Sequence, residues 1–434
     1  MKRITACFAA GVIISALLCS CGNDSGSAPA ADTPAVTEVT EAADTTTTSA
    51  VSPAETDAAP VEEDLTDREK IIRKAMLTTG NTERFRKVFT KAAAGEEITV
   101  AYIGGSITEG YTLKPEECWA KLTYDWLCEK FPGTKVNYVN AGMSGTPSSL
   151  GVVRCERDVL APYGDPDIIF IEFAVNDATD KLCKDSYESL VRRFLALDSE
   201  PAVALLFMRT DNGYSCQAQQ SAIGERYGLP MISLNDGLTY AINEGMMTWA
   251  DYSNDGAHPN PEGAKLVAEM IEYFYRCVET DTVYGDGNAP AVTDVNDIEP
   301  LNSPAYTNMH LLDGKNLTPT SLGEYSNDRE ILGTFPNGWY RKGGENQGIS
   351  FEMTFESLFL VFHCNDNKKF GTAEVFVDGE LAAEIPSNSN EGWSNPVPRF
   401  IKQFDTAGTH TVEVKMKEGQ EDTYFGILCF GVTD

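Results

Sequence analysis

The sequence predicts two folded parts, a three-layer α/β/α domain with a five-stranded parallel sheet over residues 67–284 and a β-sandwich over residues 305–434. In the first part, near-continuous apolar runs alternate with amphipathic stretches, as in parallel strands that helices cover on both faces. In the second part, the pattern changes to short runs of alternating apolar and polar residues, which is typical of antiparallel strands.

The first 20 residues have the features of a signal peptide. Lys2 and Arg3 precede an apolar run, residues 4–18, which is too short to span a bilayer. The run ends in Leu18-Cys19-Ser20-Cys21, which resembles the lipobox of bacterial lipoproteins. That resemblance implies an exported protein on the cell surface, anchored to the membrane by a lipid on Cys21. The alternative is an ordinary secretory signal with incidental cysteines.

Residues 21–66 predict a disordered tether. From residue 22 onward this segment is rich in Ala, Thr, Ser, Pro, Asp and Glu, and it contains no Lys or Arg. Such a segment cannot bury enough apolar surface to fold, and its charges repel one another. As a coil it would span roughly 40 Å and hold the folded part clear of a membrane.

Five apolar runs of the first part are the predicted strands. They are ITVAYIG (98–104), KVNYVNAG (135–142), DIIFIEFAV (167–175), AVALLFM (202–208) and PMISL (230–234). Helices are predicted over residues 67–94, 115–131, 182–197 and 215–227. Because ligands of such sheets bind at the carboxyl ends of the strands, functional residues are expected there.

A polar segment, residues 285–304, predicts a linker to the second part. Five short runs after it predict the strands of a jelly-roll-like β-sandwich: ISFEMTF, SLFLVFH, TAEVFVDGE, HTVEVKM and FGILCFG. Asp378-Gly379, between EVFV and ELAAEI, predicts a hairpin turn.

Charge and cysteine content argue against two kinds of partner. The formal net charge is −31, whereas a protein that binds nucleic acid needs clustered Lys and Arg. Eight cysteines follow the anchor, from Cys118 to Cys429, without a CxxC pair. The sequence therefore predicts no metal and no other cofactor. The even number of cysteines permits disulfides but indicates no pairing.

The stretch AYIGGSITEG (101–110) places Ser106 behind two glycines at the end of a predicted strand. Glycines that allow a tight bend and a serine that caps a helix would explain it, and so would a nucleophile. A nucleophilic serine needs a base, because its hydroxyl is hardly ionised near neutral pH. His258 is the only histidine before residue 305, and Asp255 precedes it by three residues. A turn that folds Asp255 back would orient the imidazole as a catalytic triad requires.

Two further strand ends offer hydrogen-bond donors for an oxyanion. Gly142 in NAGMSG follows the second predicted strand and has a backbone N–H, and Asn176 in AVND follows the third and has a side-chain amide. Each signal alone is weak, because Gly and Asn are common turn residues.

Together, GGSIT, NAGMSG, AVND and DGAHP resemble the four sequence blocks of SGNH (GDSL-type) hydrolases, in the order of that family. The resemblance implies a flavodoxin-like sheet and ester hydrolysis through an acyl-enzyme, without metal. It implies Ser106, Asp255 and His258 as the catalytic residues, with Ser106, Gly142 and Asn176 as the oxyanion hole. The chain departs from the family at Gly105, where an Asp is usual, and at Ala174, where a Gly is usual.

Exported SGNH proteins with an added β-sandwich resemble carbohydrate esterases that remove acetyl groups from plant xylans and mannans. This resemblance implies an acetylated polysaccharide or oligosaccharide substrate. One alternative is another ester chemistry at the same site, as in a lipid esterase or an O-acetyl esterase or transferase of the cell envelope. The other is a surface glycan-binding lipoprotein without catalysis.

Several aromatic residues are candidate substrate contacts. Trp249 and Tyr252 precede the His258 loop, and Trp339, Tyr340 and Trp393 lie in Gly/Asn-rich loops of the predicted sandwich. Core packing is the alternative for the first pair. For the others the alternative is a sandwich that only braces the catalytic domain.

Two carboxylates have structural explanations. Glu172 interrupts an apolar strand, where an ion pair with Arg154 or Arg209 would offset its burial, and Asp177 is expected to hold its loop.

Overall fold

The computed structural model describes residues 65–285, 294–390 and 392–434. The predicted signal peptide (1–20), Cys21, nearly all of the tether (21–66) and residues 286–293 of the predicted linker lie outside the described residues. Residues 66–434 belong to one compact unit. Within the described ranges, no helix is long and apolar enough to cross a membrane.

The first part of the chain contains six strands and ten α-helices among the described residues. The strands are β1 (Met76–Thr78), β2 (Ile98–Gly104), β3 (Val136–Gly142), β4 (Ile168–Glu172), β5 (Ala202–Phe207) and β6 (Met231–Ser233). The helices are α1 (Asp67–Lys74), α2 (Glu83–Ala93), α3 (Ser106–Glu109), α4 (Trp119–Lys130), α5 (Ser148–Cys155), α6 (Lys181–Leu195), α7 (Gln217–Arg226), α8 (Leu234–Asn243), α9 (Trp249–Tyr252) and α10 (Pro261–Thr280).

All five predicted strands form one parallel sheet in the order β3-β2-β4-β5-β6. The predicted α/β class is confirmed. The chain leaves β2 toward β3 on one side and later adds β4 on the other, so the order reverses at β2. A crevice forms at the carboxyl ends of the strands at such a switch point. Ser106 follows β2 directly and lies at this crevice.

A short edge strand corrects the prediction of one helical stretch over 67–94. Here α1 and α2 are separated by β1, which pairs antiparallel with β6 and adds a sixth strand to the sheet. After β1 the chain turns at Gly80, whose φ of +53° favours glycine, and whose Cβ would lie 2.4 Å from the backbone of Leu229. The edge pairing and this turn end the helical pattern.

Two hydrophobic cores cover the two faces of the parallel sheet. Along β2, Val100 and Tyr102 belong to one core, and Ala101 and Ile103 belong to the other. Because successive side chains of a strand point to opposite faces, a strand between two cores must be apolar throughout. This requirement explains the near-continuous apolar runs of the sequence.

The second part is an antiparallel sheet of seven strands among the described residues. They are β7 (His310–Leu312), β8 (Trp339–Arg341), β9 (Ile349–Asn365), β10 (Thr372–Val377), β11 (Glu380–Pro386), β12 (Trp393–Met416) and β13 (Phe425–Thr433). The predicted runs ISFEMTF and SLFLVFH are halves of the single strand β9, which pairs with β12 across several register shifts.

The predicted β-sandwich is confirmed, since both halves of β9 line one core together with β10, β12 and β13. The hairpin at Asp378-Gly379 joins β10 to β11, with φ of 52° and 80° at its two residues. Positive φ at both central residues matches the turn type that Asp-Gly favours.

The outer face of the sandwich packs against the α/β part. Phe359 and Val361 of β9 share a hydrophobic cluster with Val152 and Val153 of α5, whereas Leu360 between them lies in the sandwich core. Gly431 of β13 approaches so closely that its Cβ would lie 2.8 Å from Val153. The sandwich therefore braces the helix that follows the β3 loop.

The described end of the predicted linker is also bound to the α/β part. The buried carboxylate of Glu188 on α6 accepts backbone N–H bonds from Leu301 at 2.8 Å and from Asn302 at 2.6 Å. This contact fixes the chain where it enters the second part.

Candidate active site

Ser106 is the first residue of α3, a helix of four residues that begins as soon as β2 ends. The two glycines before it are required by close approaches. A Cβ on Gly104 would lie 2.2 Å from Oγ1 of Thr108, and a Cβ on Gly105 would lie 1.9 Å from Oδ1 of Asn176. Real Cβ atoms do not approach so closely, so the departure at Gly105 is what lets the Asn176 side chain lie against the serine turn.

The loop that carries His258 is fixed by its own hydrogen bonds. Ser253 pairs with Pro259, and the Ser253 hydroxyl donates to the carbonyl oxygen of His258 at 2.5 Å. Asn260 then caps α10 by accepting the N–H of Gly263 at 2.9 Å, with Pro261 in the first turn. The chain reversal brings Asp255 back toward His258, as the sequence predicts.

Ser106, His258 and Asp255 form a continuous hydrogen-bonded chain. Nδ1 of His258 lies 2.9 Å from Oδ2 of Asp255, and Nε2 lies 2.9 Å from Oγ of Ser106. An ionised carboxylate can only accept, so Nδ1 carries the proton and donates it to Asp255. In the neutral imidazole, Nε2 is then an acceptor and Ser106 donates to it. This tautomer can take the serine proton.

The environment of Asp255 keeps its carboxyl ionised. Partial burial raises the pKa of this carboxyl, but N–H donors from Ala257 at 2.8 Å and His258 at 2.7 Å outweigh burial, so that the pKa lies below its usual value. A negative charge beside Nδ1 stabilises a protonated imidazole, which is the species that forms when Ser106 loses its proton.

The two predicted oxyanion donors, Asn176 and Gly142, have different surroundings. The side chain of Asn176 lies against Gly105, with Oδ1 toward the glycine and Nδ2 as the farther amide atom. The backbone N–H of Gly142 instead donates to Oδ1 of Asn140 at 2.9 Å. A Cβ on Gly142 would lie 2.1 Å from the backbone nitrogen of Glu109, so α3 requires a glycine here. The oxyanion roles of Asn176 and Gly142 stay predictions, and that of Gly142 requires its bond to Asn140 to open.

The expected ion pair of Glu172 with Arg154 or Arg209 is wrong. The Thr108 hydroxyl donates to Oε2 of Glu172 at 2.8 Å, and Arg209 bonds to the Thr210 carbonyl oxygen. Burial raises the pKa of the Glu172 carboxyl to about 7.

Asp177 holds its loop, as expected. It accepts the N–H of Ser148 at 2.7 Å and the amide of Gln220 at 3.0 Å.

The structure separates the five candidate substrate contacts. The predictions that Tyr252 and Trp339 contact substrate are wrong, because both side chains are fully buried, at 0% exposure, in the cores of their respective parts. Tyr340 is buried as well. Trp249 is half-buried and donates its indole N–H to the carbonyl oxygen of Asp255 at 2.6 Å, which supports the histidine loop. Trp393 alone of these residues is largely exposed, at 57%.

Trp393 belongs to the sandwich but lies against the loop after β3. Its indole carbon Cζ2 would be 2.9 Å from a Cβ on Gly145, three residues beyond Gly142. The next residue of that loop toward the strand, Ser144, donates to the carboxylate of Glu109 on α3. The second part of the chain thus contributes an exposed indole to a loop that is bonded to the serine helix.

Sequence reasoning missed Tyr111. Its ring lies 4.8 Å from the imidazole of His258 and is 53% exposed. The residues on both sides have positive φ, 85° at Gly110 and 73° at Thr112. Such strained backbone tends to occur at functional sites, but for Thr112 the sequence gives no signal of it.

Among the described residues, no group of three or more His, Cys, Asp or Glu side chains could hold a metal ion. The eight cysteines of these residues are free thiols, all buried except Cys128, which is half-buried. They act as small apolar side chains.

The comparison with protein families identifies the enzyme class of the first part of the chain. Residues 102–266, which contain all four sequence blocks, match the GDSL-like lipase/acylhydrolase family. This part of the chain is a GDSL-like hydrolase domain. Its family consists of enzymes that act on carboxylic esters, and the sequence resemblance is confirmed.

Two solved structures resemble the GDSL-like domain and the sandwich together. A two-domain esterase active on acetylated mannans is 27% identical, with a TM-score of 0.73, and the match covers 84% of this chain and 99% of that one. The same kind of esterase co-crystallised with mannopentaose is 28% identical, with a TM-score of 0.73, over 84% of this chain and 98% of that one. No curated protein sequence is significantly similar to this chain.

Proposed function

We propose that this GDSL-like hydrolase removes O-acetyl groups from polysaccharides of the plant mannan or xylan type. The hydrogen-bonded chain from Asp255 through His258 to Ser106 carries the proposal, because it supplies a base within 2.9 Å of a serine hydroxyl. Geometry of this kind is what nucleophilic catalysis by serine requires.

In the proposed mechanism, Ser106 Oγ attacks the acetyl carbonyl carbon while Nε2 of His258 accepts its proton. The imidazolium then gives that proton to the sugar oxygen, which leaves and frees the polysaccharide from the acetyl-enzyme. Water, deprotonated by His258, attacks the acetyl-enzyme and releases acetate and Ser106. Asp255 stays ionised throughout and holds the histidine by its Nδ1–H bond.

The negative oxygen of the tetrahedral intermediate needs donors that are already in place. Two groups beside Ser106 suit this role. The N–H of Ser106 lies at the first position of α3, where a helix provides no acceptor of its own. The amide of Asn176 lies against the preceding Gly105. Gly142 would add a third donor only after releasing Asn140.

A carbohydrate substrate is supported by two exposed aromatic rings, Tyr111 and Trp393, near loops that adjoin the serine helix. Tyr111 lies beside His258, and Trp393 lies over Gly145. Aromatic faces of this kind stack against apolar faces of sugar rings. The resemblance over both parts to an esterase active on acetylated mannans favours mannan over xylan.

The decisive experiment first compares esters that differ in acyl length and then compares acetylated polysaccharides that differ in sugar. We expect p-nitrophenyl acetate to be cleaved at least about tenfold more efficiently than the octanoate ester, because added methylenes must fit a pocket shaped for acetyl. Acetate release from acetylated mannan and acetylated xylan, followed by NMR, then identifies the polysaccharide. Preference for octanoate would show a lipid esterase. Transfer of acetyl to envelope glycan would show a transferase, and inactivity on every ester with retained glycan binding would show a binding protein.

We also propose that the protein is exported and anchored to the bacterial surface through a lipid on Cys21. The lipobox-like residues 18–21 support this, and so does the composition of residues 21–66, which predicts a tether. In cells fed an alkyne fatty acid, the unaltered full-length protein should become labelled with the alkyne, whereas the Cys21→Ala variant should not. Equal labelling of both chains would exclude Cys21 as the anchor.

A further inference from the structure

A buried arginine and a buried glutamate hold the turn that presents Ser106. The guanidinium of Arg154 donates to the carbonyl oxygen of Gly104 at 3.0 Å and to that of Ala141 at 2.7 Å. These carbonyls belong to the ends of β2 and β3, and Arg154 is fully buried beneath them. One charged group therefore ties together the strand ends that carry Ser106 and Gly142.

Glu172 binds the same turn from the other direction. Oε2 of its carboxylate accepts the Thr108 hydroxyl at 2.8 Å, and Oε1 is buried with no hydrogen-bond partner among the described residues. The peptide unit between Gly104 and Gly105 has its carbonyl on Arg154, and Thr108, two residues after Ser106, has its hydroxyl on Glu172. This peptide comes directly before the one that carries the Ser106 N–H.

We propose that Glu172 is a positioning residue of the ester hydrolysis, which fixes the turn of Ser106 through Thr108. The proposal rests on the proposed role of Ser106 as nucleophile. Gly105 occupies the place of the acidic residue usual in the family, and it cannot carry a side chain because Asn176 lies against it. A buried carboxyl group from β4 reaches this turn instead.

The stability of the fold does not account for Glu172. Burial without a cationic partner in contact raises the pKa of its carboxyl to about 7. The contribution of this carboxyl to stability is therefore present below its unfolded pKa and lost as the pH rises through about 7. Two tyrosines near it bring no positive charge. Burial is the main cause that raises the pKa values of Tyr187 on α6 and Tyr252 on α9; the charge of Glu172 adds to it at Tyr252, and the charges of Asp177 and then Glu172 add to it at Tyr187.

Glu188 is a matched control. It is also a buried glutamate, and its carboxylate accepts the backbone N–H groups of Leu301 and Asn302, the side-chain amide of Asn302 and the hydroxyl of Tyr227. Its donors lie in the linker and on the chain after α7, and none belongs to the serine turn. Glu188→Gln therefore repeats the chemical change without touching the site.

The test measures kcat per active site on p-nitrophenyl acetate in the full chain. Active sites are counted by titration with a fluorophosphonate, and the adduct is mapped by mass spectrometry. We expect Glu172→Ala to lower kcat per titrated site by about 100-fold with little change in KM, because displacement of a nucleophile acts on the transition state. Glu172→Gln keeps one acceptor oxygen without the charge and should lose about tenfold. Glu188→Gln should stay within about twofold of the wild type.

Stability separates positioning from a purely structural role. Gln does not titrate, so the Tm of Glu172→Gln relative to the wild type should rise between pH 5 and pH 8 while its kcat stays low. If Glu172→Ala does not fold, Thr108→Val removes the hydroxyl donor and should lower kcat per site about tenfold, with recovery in Thr108→Ser. Unchanged kcat per titrated site in the Glu172 and Thr108 variants would overturn the inference. Failure of the fluorophosphonate to label Ser106 in the wild type would instead overturn the proposed nucleophile.

Discussion

The serine side and the exposed aromatic side of the candidate site are held in different ways. Ser106 is buried, and the residues around it are fixed by backbone approaches that leave no room for a Cβ at Gly104 or Gly105. Tyr111 and Trp393 on the other side are more than half exposed. Changes on the buried side should affect every ester, whereas changes on the exposed side should affect only substrates large enough to reach it.

The largest expected effect is on the buried side. Ser106→Ala and His258→Ala should each lower kcat by roughly 10⁴-fold or more on aryl and polymeric esters alike, because each removes one half of the nucleophile-base pair. The double variant should be little slower than either single variant, since the residues act as a unit. Steady-state kinetics of the three chains provide the check, and additive losses would contradict the assignment.

Substitution of Trp339, which is buried in the sandwich core, also tests the difference between buried and exposed residues. Its buried indole packs 4.9 Å from the ring of Phe351, so Trp339→Ala should cost about 3–5 kcal/mol of stability by leaving a cavity. Thermal unfolding measures this loss. Both aryl and polymeric activities should survive below the lowered Tm, and a selective loss on polymer would show that Trp339 contacts glycan after all.

Much of the fold can be predicted because burial on both faces makes whole strands apolar. The five runs from 98 to 234 are strands for this reason. β1 could not be predicted, since three residues become a strand only by pairing with β6, more than 150 residues away in the sequence. Trp339 and Trp393 look alike in sequence and each begins a strand, but the pairing of Trp339 with Ile427 places it in the core, whereas Trp393 at the start of β12 is 57% exposed.

The candidate site is predictable where residues follow strand ends, because parallel strands bring those ends to one edge of the sheet. This argument, together with the family resemblance, predicts Ser106 and Asn176. Asp255 and His258 lie between α9 and α10 and are predicted by other signals: the only histidine before residue 305, an Asp three residues earlier and a helix start after them. Glu172 is recognisable in the sequence as an unusual residue, but the partner predicted for it is wrong. Its bond to Thr108 depends on how tightly α3 turns, which the sequence does not show. The position of Tyr111 could not be predicted, because it depends on the left-handed backbone of Thr112, and a threonine gives no signal of positive φ.

Asn176 should show an intermediate effect that still belongs to the buried side. Removal of the amide in Asn176→Ala is expected to lower kcat by about 10²–10³-fold, if the amide stabilises the oxyanion. KM should change little, and circular dichroism should confirm the fold. A loss expressed mainly in KM would mean that Asn176 binds substrate without stabilising the transition state.

Trp393 should show the smallest effect and the sharpest contrast. Trp393→Ala removes an exposed indole that lies over Gly145, so it should lower kcat/KM on acetylated mannan about tenfold and leave p-nitrophenyl acetate unaffected. Trp393→Phe keeps an aromatic face and should recover part of the loss. The contrast between substrates matters because the sandwich also braces α5 through Phe359 and Val361. If Trp393 served only that brace, both activities and the Tm would fall together. Selective loss on the polymer at unchanged Tm would show that the second part of the chain takes part in binding the substrate.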